Sequence, residues 1–305
     1  MNKTSRILVV GHNDIMEKSL ANYFQRNEYL HVFSSSATGL NVLDSSSVRQ
    51  FFKDQRPEFV FLGSIRSGGI DANQKHGGEF IYENLVAQSN VIHAAYLGEV
   101  KKLLYFSSSC VYPKRSRQPI KEEYLLAGPL EATSEPYAVA KIAGIKLCEA
   151  YRRQYKFNAM TMIPATVYGP ENDVDLSTAH VMGALVGKFQ DAVAKKQKVV
   201  TVWGSGRPRR EFLFVDDFVE ASIFLMGHDT TEPIINVGQG SDVSIRQLAK
   251  IIAKVVGFKG KIIFDRTKPD GTKRKLLDSS RMTQLGWQAR TSLEEGIAKT
   301  VNGIK

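Results

Sequence analysis

Tyr137 and Lys141 stand four residues apart in EPYAVAKIAG, at the start of a segment with strong helical patterning. Residues four apart share one face of a helix, so the phenol and the ammonium are neighbours. A phenol titrates at about 10 and is a poor acid–base group at neutral pH. A nearby ammonium favours the phenolate and draws its pKa toward working pH. The same spacing also suits two ordinary residues on an amphipathic helix. One apolar run earlier, YFSSSCVYP leaves hydroxyls at what reads as a strand end. A serine there can donate to a carbonyl oxygen while Tyr137 supplies or removes a proton.

To hold a serine, a phenol and an ammonium in one cleft, the chain needs strands that end at a common edge. RILVV, EFVFLGS, KKLLYFSSS and NAMTMIPAT read as aliphatic strands. SLANYFQR, SSVRQFFKD, EFIYENLVAQSNVIHAAYLG and AVAKIAGIKLCEAYRRQY between them carry apolar residues at helical spacing. This alternation predicts an α/β fold, a Rossmann-type doubly wound parallel sheet covered on both faces. Ligands of such sheets sit beyond the carboxyl ends of the strands, here Gly11, Gly63–Ser64, Ser107–Cys110 and Pro164–Thr166. After Tyr168-Gly169-Pro170 the pattern changes. It predicts a first domain over 1–169 to which 203–232 returns, and a smaller C-terminal α/β lobe made of 170–202 and 233–305.

A chain of 305 residues with 43% hydrophobic content can bury a sizeable core. No apolar run approaches the ~20 residues that cross a bilayer, and MNKTSRILVV lacks the apolar core of a signal peptide. The two cysteines, Cys110 and Cys148, suit a reducing compartment, and no metal-ligand spacing links them. A cytoplasmic protein without membrane contact or bound metal is expected. The net charge of +10 invites a nucleic-acid reading, but KKQK, RPRR and KRK are scattered and lack interleaved aromatics. An acidic small-molecule substrate such as a sugar nucleotide accounts for them as well.

Serine, tyrosine and lysine in this order on strand–helix alternation resemble the short-chain dehydrogenase/reductases. PATVYGP and GSGRPRREFLFVDD resemble the extended branch, which processes nucleotide sugars. Six longer segments, SSCVYPK, EPYAVAKIAGIKLCEAYRRQY, WGSGRPRREFLFVDD, INVGQG, IAKVVGFKGKIIFD and KPDGTKRKLLD, are similar to the GDP-L-fucose synthase family over nearly the whole chain. That family epimerises C3 and C5 of GDP-4-keto-6-deoxy-mannose, then reduces C4 with NADPH. By this resemblance Ser108, Tyr137 and Lys141 are the reductase set, Cys110 the epimerisation base and His180 the opposing acid. Protons beside a ketone are acidic because the enolate is delocalised, and inversion needs a base on one ring face and an acid on the other. A thiolate and an imidazole can fill those roles near neutral pH. The resemblance assigns the cofactor to Gly11, Asn13, Asp14, Ile15, Ser35, Asp44, Leu62, Gly63, Lys141, Pro164, Val167 and His180. It assigns a GDP-sugar to Lys188, Trp203, Arg210, Asp270 and Lys275, and implies a homodimer paired through helices near 79–97 and 137–155.

The cofactor turn departs from the family. In VVGHNDIMEKSL, Gly11 keeps the first beat of a three-glycine pattern, but Asp14 and Glu17 take the next two. Those glycines let backbone approach a pyrophosphate and let helix pack on strand. Either carboxylate can also turn outward and serve as a favourable helix-start charge. Ser35 and Ala37 occupy the places of arginines that hold the 2′-phosphate of NADP, no acid after the second strand offers an NAD-type ribose grip, and Thr166 replaces an asparagine. NADP(H) is therefore expected at a weakened site that separates NADP(H) from NAD(H) poorly. An epimerase that has lost or altered the reduction, and a silent sugar-nucleotide-binding protein, are the rival readings.

Overall fold

The strands fall where the aliphatic runs are. β1 (Arg6–Val10), β2 (His31–Ser34), β3 (Phe59–Leu62), β4 (Lys102–Phe106) and β5 (Ala159–Pro164) precede β6 (Thr166–Tyr168), β7 (Val199–Trp203) and β8 (Arg209–Phe214). β9 (Ile234–Val237), β10 (Asp242–Ser244), β11 (Lys261–Asp265) and β12 (Arg274–Lys275) follow. The computed structural model describes residues 1–12, 14–170, 180–268 and 270–303. Among them, no helix is long and apolar enough to cross a membrane, and no group of His, Cys, Asp and Glu could hold a metal ion.

The main sheet is parallel, in the order β2-β1-β3-β4-β5-β9. Its strand order reverses direction about β1, as in a doubly wound fold, and helices cross between strands. The register aligns Val10 with Leu62, Leu62 with Tyr105 and Phe106 with Met162. Gly11, Gly63–Ser64 and Ser107–Cys110 therefore emerge along one edge. A row of rings, Phe24, Phe61, Phe106 and Phe218, stacks through the core beneath that edge with neighbouring centroids 4.9 to 6.3 Å apart. Truncating one such buried ring costs roughly 3–5 kcal/mol, so the edge is firmly held.

The segment expected to return to this sheet divides differently. The helix Val215–Gly227 packs on β4 and on the helix Ile15–Arg26, but β8 joins a separate sheet with β6, β10 and β12. The sixth strand of the main sheet is β9, which had been assigned to the lobe. β9 is buried at every residue, as a strand covered on both faces requires. β8 instead alternates between two cores: Leu213 joins the main one, while Phe212 and Phe214 pack with Tyr168 in the second. β7 and β11 form a third, two-stranded sheet.

Candidate active site

Lys141 reaches the cleft because its helix, Glu135–Tyr155, sits unusually close to β4. A Cβ at Gly144 would overlap the Tyr105 hydroxyl, so only glycine permits this approach. The Tyr105 hydroxyl donates to Gln88 Oε1 at 2.6 Å, and Gln88 Nε2 donates to the Ala140 carbonyl at 2.7 Å. These bonds fix the first turns of the helix. Lys141 is buried, with Nζ 4.2 Å from the Tyr105 ring centroid and no hydrogen-bond partner among the described residues. Burial pulls this ammonium down to about 7, against the upward pull of Cys110, Cys148 and Asp14.

Tyr137 stands one turn earlier, with its ring edge-on to Phe80. Its hydroxyl pairs with Ser64 Oγ at 2.7 Å. Burial pushes the phenol up, a negative charge at Cys110 adds to this, and the Ser64 bond and Asp14 act in opposite directions, down and up. The ammonium-assisted phenolate expected from the Tyr137/Lys141 spacing does not prevail, because desolvation outweighs the helical pairing. Ser64 was not among the candidate site residues. It ends a strand at the same edge as the β4 serines, so the strand-end rule that singled those out applies to it equally.

Ser108 and Cys110 lie just past β4. Ser108 Oγ accepts the Cys110 N–H at 3.4 Å as the N-cap of a short 3₁₀ turn, Ser109–Val111. Burial raises the Cys110 thiol, while Lys275, the Ser108 side chain and Lys141 pull it down. The low-pKa thiolate anticipated from the residue type is therefore outweighed by burial. Cys148 is a buried packing residue whose thiol burial lifts to about 12.

Lys275 approaches Cys110 from the other lobe. It pairs with Arg210 in the β12–β8 register, and burial lowers its ammonium. Arg210 Nη1 donates to the carbonyls of Thr272 (2.6 Å) and Arg209 (2.8 Å), which holds the guanidinium in the wall of the site. Asp270 accepts from the N–H and hydroxyl of Ser205 at 2.8 and 2.6 Å. Trp203 is 59% exposed and lies between two cations, with Lys188 Nζ 5.1 Å and Lys268 Nζ 5.3 Å from its ring. Lys188 also donates to the Thr201 carbonyl at 3.2 Å. An exposed indole flanked by ammonium groups is a surface for a flat base bearing phosphates.

His180 is exposed at the N-cap of the helix Val181–Ala194. It follows residues 171–179, which lie outside the described residues, as does Asn13. Pro164 closes β5 opposite Val237, and Val167 pairs with Leu213 of β8. Leu62 is buried at the end of β3, and the Gly63 N–H donates to the Val10 carbonyl at 2.8 Å. Asp44 caps the helix Ser45–Gln55 by accepting the Ser46 N–H at 2.8 Å, well away in sequence and bonding from the catalytic edge.

The turn after β1 treats its two carboxylates differently. Asp14 is the N-cap of the helix Ile15–Arg26 and accepts the Glu17 N–H at 2.9 Å, while Ile15 packs into the second core. Glu17 turns inward rather than outward and is 2% exposed. Its Oε1 accepts from Ser34 Oγ (2.7 Å), Ser35 Oγ (3.2 Å) and the Ser36 N–H (3.0 Å). Ser35 Oγ also lies 3.1 Å from both N and O of Gly11. A Cβ at Gly11 would stand 2.8 Å from Glu17 Cβ, so the glycine makes room for this carboxylate. His12 Nδ1 donates to the Ser64 carbonyl at 2.9 Å and ties the same turn to the end of β3.

Comparison with known proteins agrees with this arrangement. The profile of the NAD dependent epimerase/dehydratase family matches residues 7–238. GDP-L-fucose synthase of Escherichia coli (strain K12) is 46% identical over 304 residues, covering 97% of this chain and 95% of that protein. The crystal structure of a GDP-6-OMe-4-keto-L-xylo-heptose reductase from C. jejuni has a TM-score of 0.92 at 32% identity, over 99% of this chain and 98% of the other. A GDP-mannoheptose C4 reductase from Campylobacter jejuni with NADP bound has a TM-score of 0.90 at 32% identity, over 99% of each chain. The chain belongs to the NAD dependent epimerase/dehydratase family and, within it, to the GDP-L-fucose synthase family.

Proposed function

We propose that this chain epimerises C3 and C5 of a GDP-4-keto-6-deoxy-hexose and then reduces C4, the reaction in which the family uses NADPH. The observation that carries the reading is electrostatic convergence: the Cys110 thiol lies within charge range of Tyr137, Lys141 and Lys275 at once. Cys110 takes the proton from a ring carbon beside the ketone. The electron pair moves onto O4, where the hydroxyls of Ser108 and Tyr137 stabilise the enolate, and His180 returns a proton to the opposite face. NADPH, when held beyond the strand ends beside Lys141, would supply the hydride that C4 needs. Tyr137 gives its proton to O4, so a ketone becomes a secondary alcohol. A thiol raised by burial is a stronger base once ionised, and the flanking ammonium groups of Lys275 and Lys141 favour that ionised form.

Lys141 Nζ, buried without a hydrogen-bond partner among the described residues, fits a ribose diol of the dinucleotide. The indole of Trp203 and the cations Lys188, Arg210 and Lys275 fit a guanine and diphosphate, with Asp270 holding the adjoining loop through Ser205. At the other end of the dinucleotide site, Asp14, Glu17 and Ser35 weaken the hold on NADP(H) relative to a three-glycine turn. The reading includes a cytoplasmic homodimer joined through the helices Gly77–Leu97 and Glu135–Tyr155, whose outer faces expose Tyr82, Leu97, Val139 and Tyr155.

Two measurements on one sample test the activity. Incubation with a GDP-4-keto-6-deoxy-hexose in deuterated water is expected to place deuterium at C3 and C5, and addition of NADPH to yield the 4-hydroxy sugar. Deuterium uptake without reduction leaves an epimerase alone. Absence of both removes the enzymatic reading.

A further inference from the structure

Burial raises the Cys110 thiol, and the strongest pull against it comes from Lys275. That ammonium stands on β12, a strand of two residues whose ladder to β8 sets Arg274 opposite Arg209 and Lys275 opposite Arg210. A ladder this short returns little against the entropy of ordering the strand. Side chains on either side must hold it. Arg274 pairs with Asp242 of β10, but the arginine is 43% exposed, and exposed ion pairs contribute little. Beyond Lys275, the Leu276 N–H donates to Gln118 Oε1 at 2.9 Å and the Leu277 N–H to Glu211 Oε2 at 2.8 Å. Glu211 is buried. It follows Arg210 on β8, and successive side chains of a strand face opposite sides, so it points away from the wall that Arg210 forms. Its Oε1 accepts the Gly240 N–H at 2.7 Å. A Cβ at Gly238 would stand 2.3 Å from that oxygen, so this glycine makes room for the carboxylate. Leu277 also bridges to Ile120, in the segment that follows Cys110; the Ile120 N–H donates to the Leu276 carbonyl at 2.7 Å, and its carbonyl accepts the Asp278 N–H at 2.8 Å. The chain that carries Lys275 and the chain that leaves Cys110 therefore meet at Leu277, over Glu211.

We propose that Glu211 is a positioning residue for the epimerisation: by holding Leu277 and Gly240 together, its carboxylate fixes β12 where Lys275 reaches the Cys110 thiol. A carboxylate suits this place because it offers two acceptor oxygens and needs no acceptor of its own, one oxygen for each converging N–H. Burial lifts its carboxyl to about 7, against the pull of the Leu277, Gly240 and Gln239 N–H groups, while Asp242 across the ladder pushes it up. It is therefore ionised in the range where the raised Cys110 thiol titrates. The proposal rests on the reading of Cys110 as the epimerisation base.

The test reads the thiol in the substrate-free full chain. Ultraviolet absorbance of the thiolate, taken against matching Cys110→Ser proteins, gives the pH at which Cys110 ionises. Glu211→Gln keeps the volume but turns one acceptor oxygen into a donor facing an N–H. It is expected to raise that pH by about 0.5 or more and to lower deuterium uptake at C3 and C5 by about threefold or more. Lys141 and Tyr137, which also lie within charge range of the thiol, are kept in every variant. In a Lys275→Met background the Glu211→Gln change is expected to add nothing to either readout, because the group it positions is gone. A Glu211 that only stabilises the fold would lower the unfolding temperature and leave the thiol where it was. An unmoved thiol in Glu211→Gln, or an equal shift with and without Lys275, overturns the proposal and leaves Cys110 as the base. Undiminished exchange by Cys110→Ser overturns the base assignment and with it this role for Glu211. Should Glu211→Gln not fold, Glu211→Asp, a methylene too short to span both N–H groups, is read in the same way.

Discussion

The Tyr137 hydroxyl and Ser64 Oγ share a 2.7 Å hydrogen bond that joins the helix Glu135–Tyr155 to the end of β3. The phenol is thereby aimed before any sugar arrives, and by a residue of the neighbouring strand rather than by Ser108. Ser108 Oγ accepts the Cys110 N–H and keeps its own O–H for donation. Two serines on adjacent strand ends therefore divide the labour, one orienting the Tyr137 phenol and the other shaping the turn that carries the thiol.

Tyr137→Phe is expected to lower C4 reduction by about 10²–10⁴-fold, the range for loss of a general acid, with little change in GDP-sugar binding. Ser64→Ala keeps the phenol but removes a bond that favours its ionised form. Burial already lifts this hydroxyl well above its ordinary range, so the reduction profile should stay flat on its alkaline side, while the loss of aim should lower the rate without abolishing it. Rates of dinucleotide oxidation between pH 7 and about 10.5 report both effects. Near-normal reduction by Tyr137→Phe would discard the proton-donor assignment.

Cys110→Ser and His180→Ala are each expected to suppress deuterium uptake at the ring carbons by about 10²-fold or more. The losses need not match, because the two groups serve opposite faces. Mass spectrometry of recovered sugar gives the number of deuterons per molecule. If both variants exchange as fast as wild type, another pair performs the inversion.

Lys141 links stability to pH. Its ammonium is lowered from 10.5 to about 7 in the folded protein by burial. Between those values the unfolded chain holds a proton that the folded chain lacks, so stability rises with pH. The contribution is complete above the unfolded pKa and is lost as pH falls toward 7. At about 1.4 kcal/mol per unit, the excursion is on the order of 4–5 kcal/mol. Lys141→Met should abolish this slope and be the more stable protein at pH 7. Urea unfolding of both proteins across this window checks the sign, and parallel pH dependences would contradict it.

Much of this site was legible before any coordinates. A spacing of four fixes which side of a helix two residues share, which is why Tyr137 and Lys141 were readable together. A lone serine carries no such periodicity, so Ser64 was visible only as a strand end until the Tyr137 bond appeared. REFLF and IINV are similar apolar runs, and nothing local states which of them closes the main sheet. Partner choice depends on Phe212 and Phe214 meeting Tyr168, a contact between distant segments. Burial also reversed the expected titration of Tyr137 and Cys110, because desolvation is a property of the assembled core. The inward course of Glu17 was equally hidden, since composition tells which charge is present and not which way it points.

That inward course also restricts how the turn can change over generations. Replacing the serines first leaves a buried carboxylate short of donors, at roughly 1–3 kcal/mol or more for each bond lost. Replacing Glu17 first takes the shared acceptor from Ser34, Ser35 and the Ser36 N–H and empties the space above Gly11. A side chain at Gly11 is closed while Glu17 remains. Gly11, Glu17 and Ser34–Ser36 are therefore coupled, so the effect of changing one of them depends on which of the others is present.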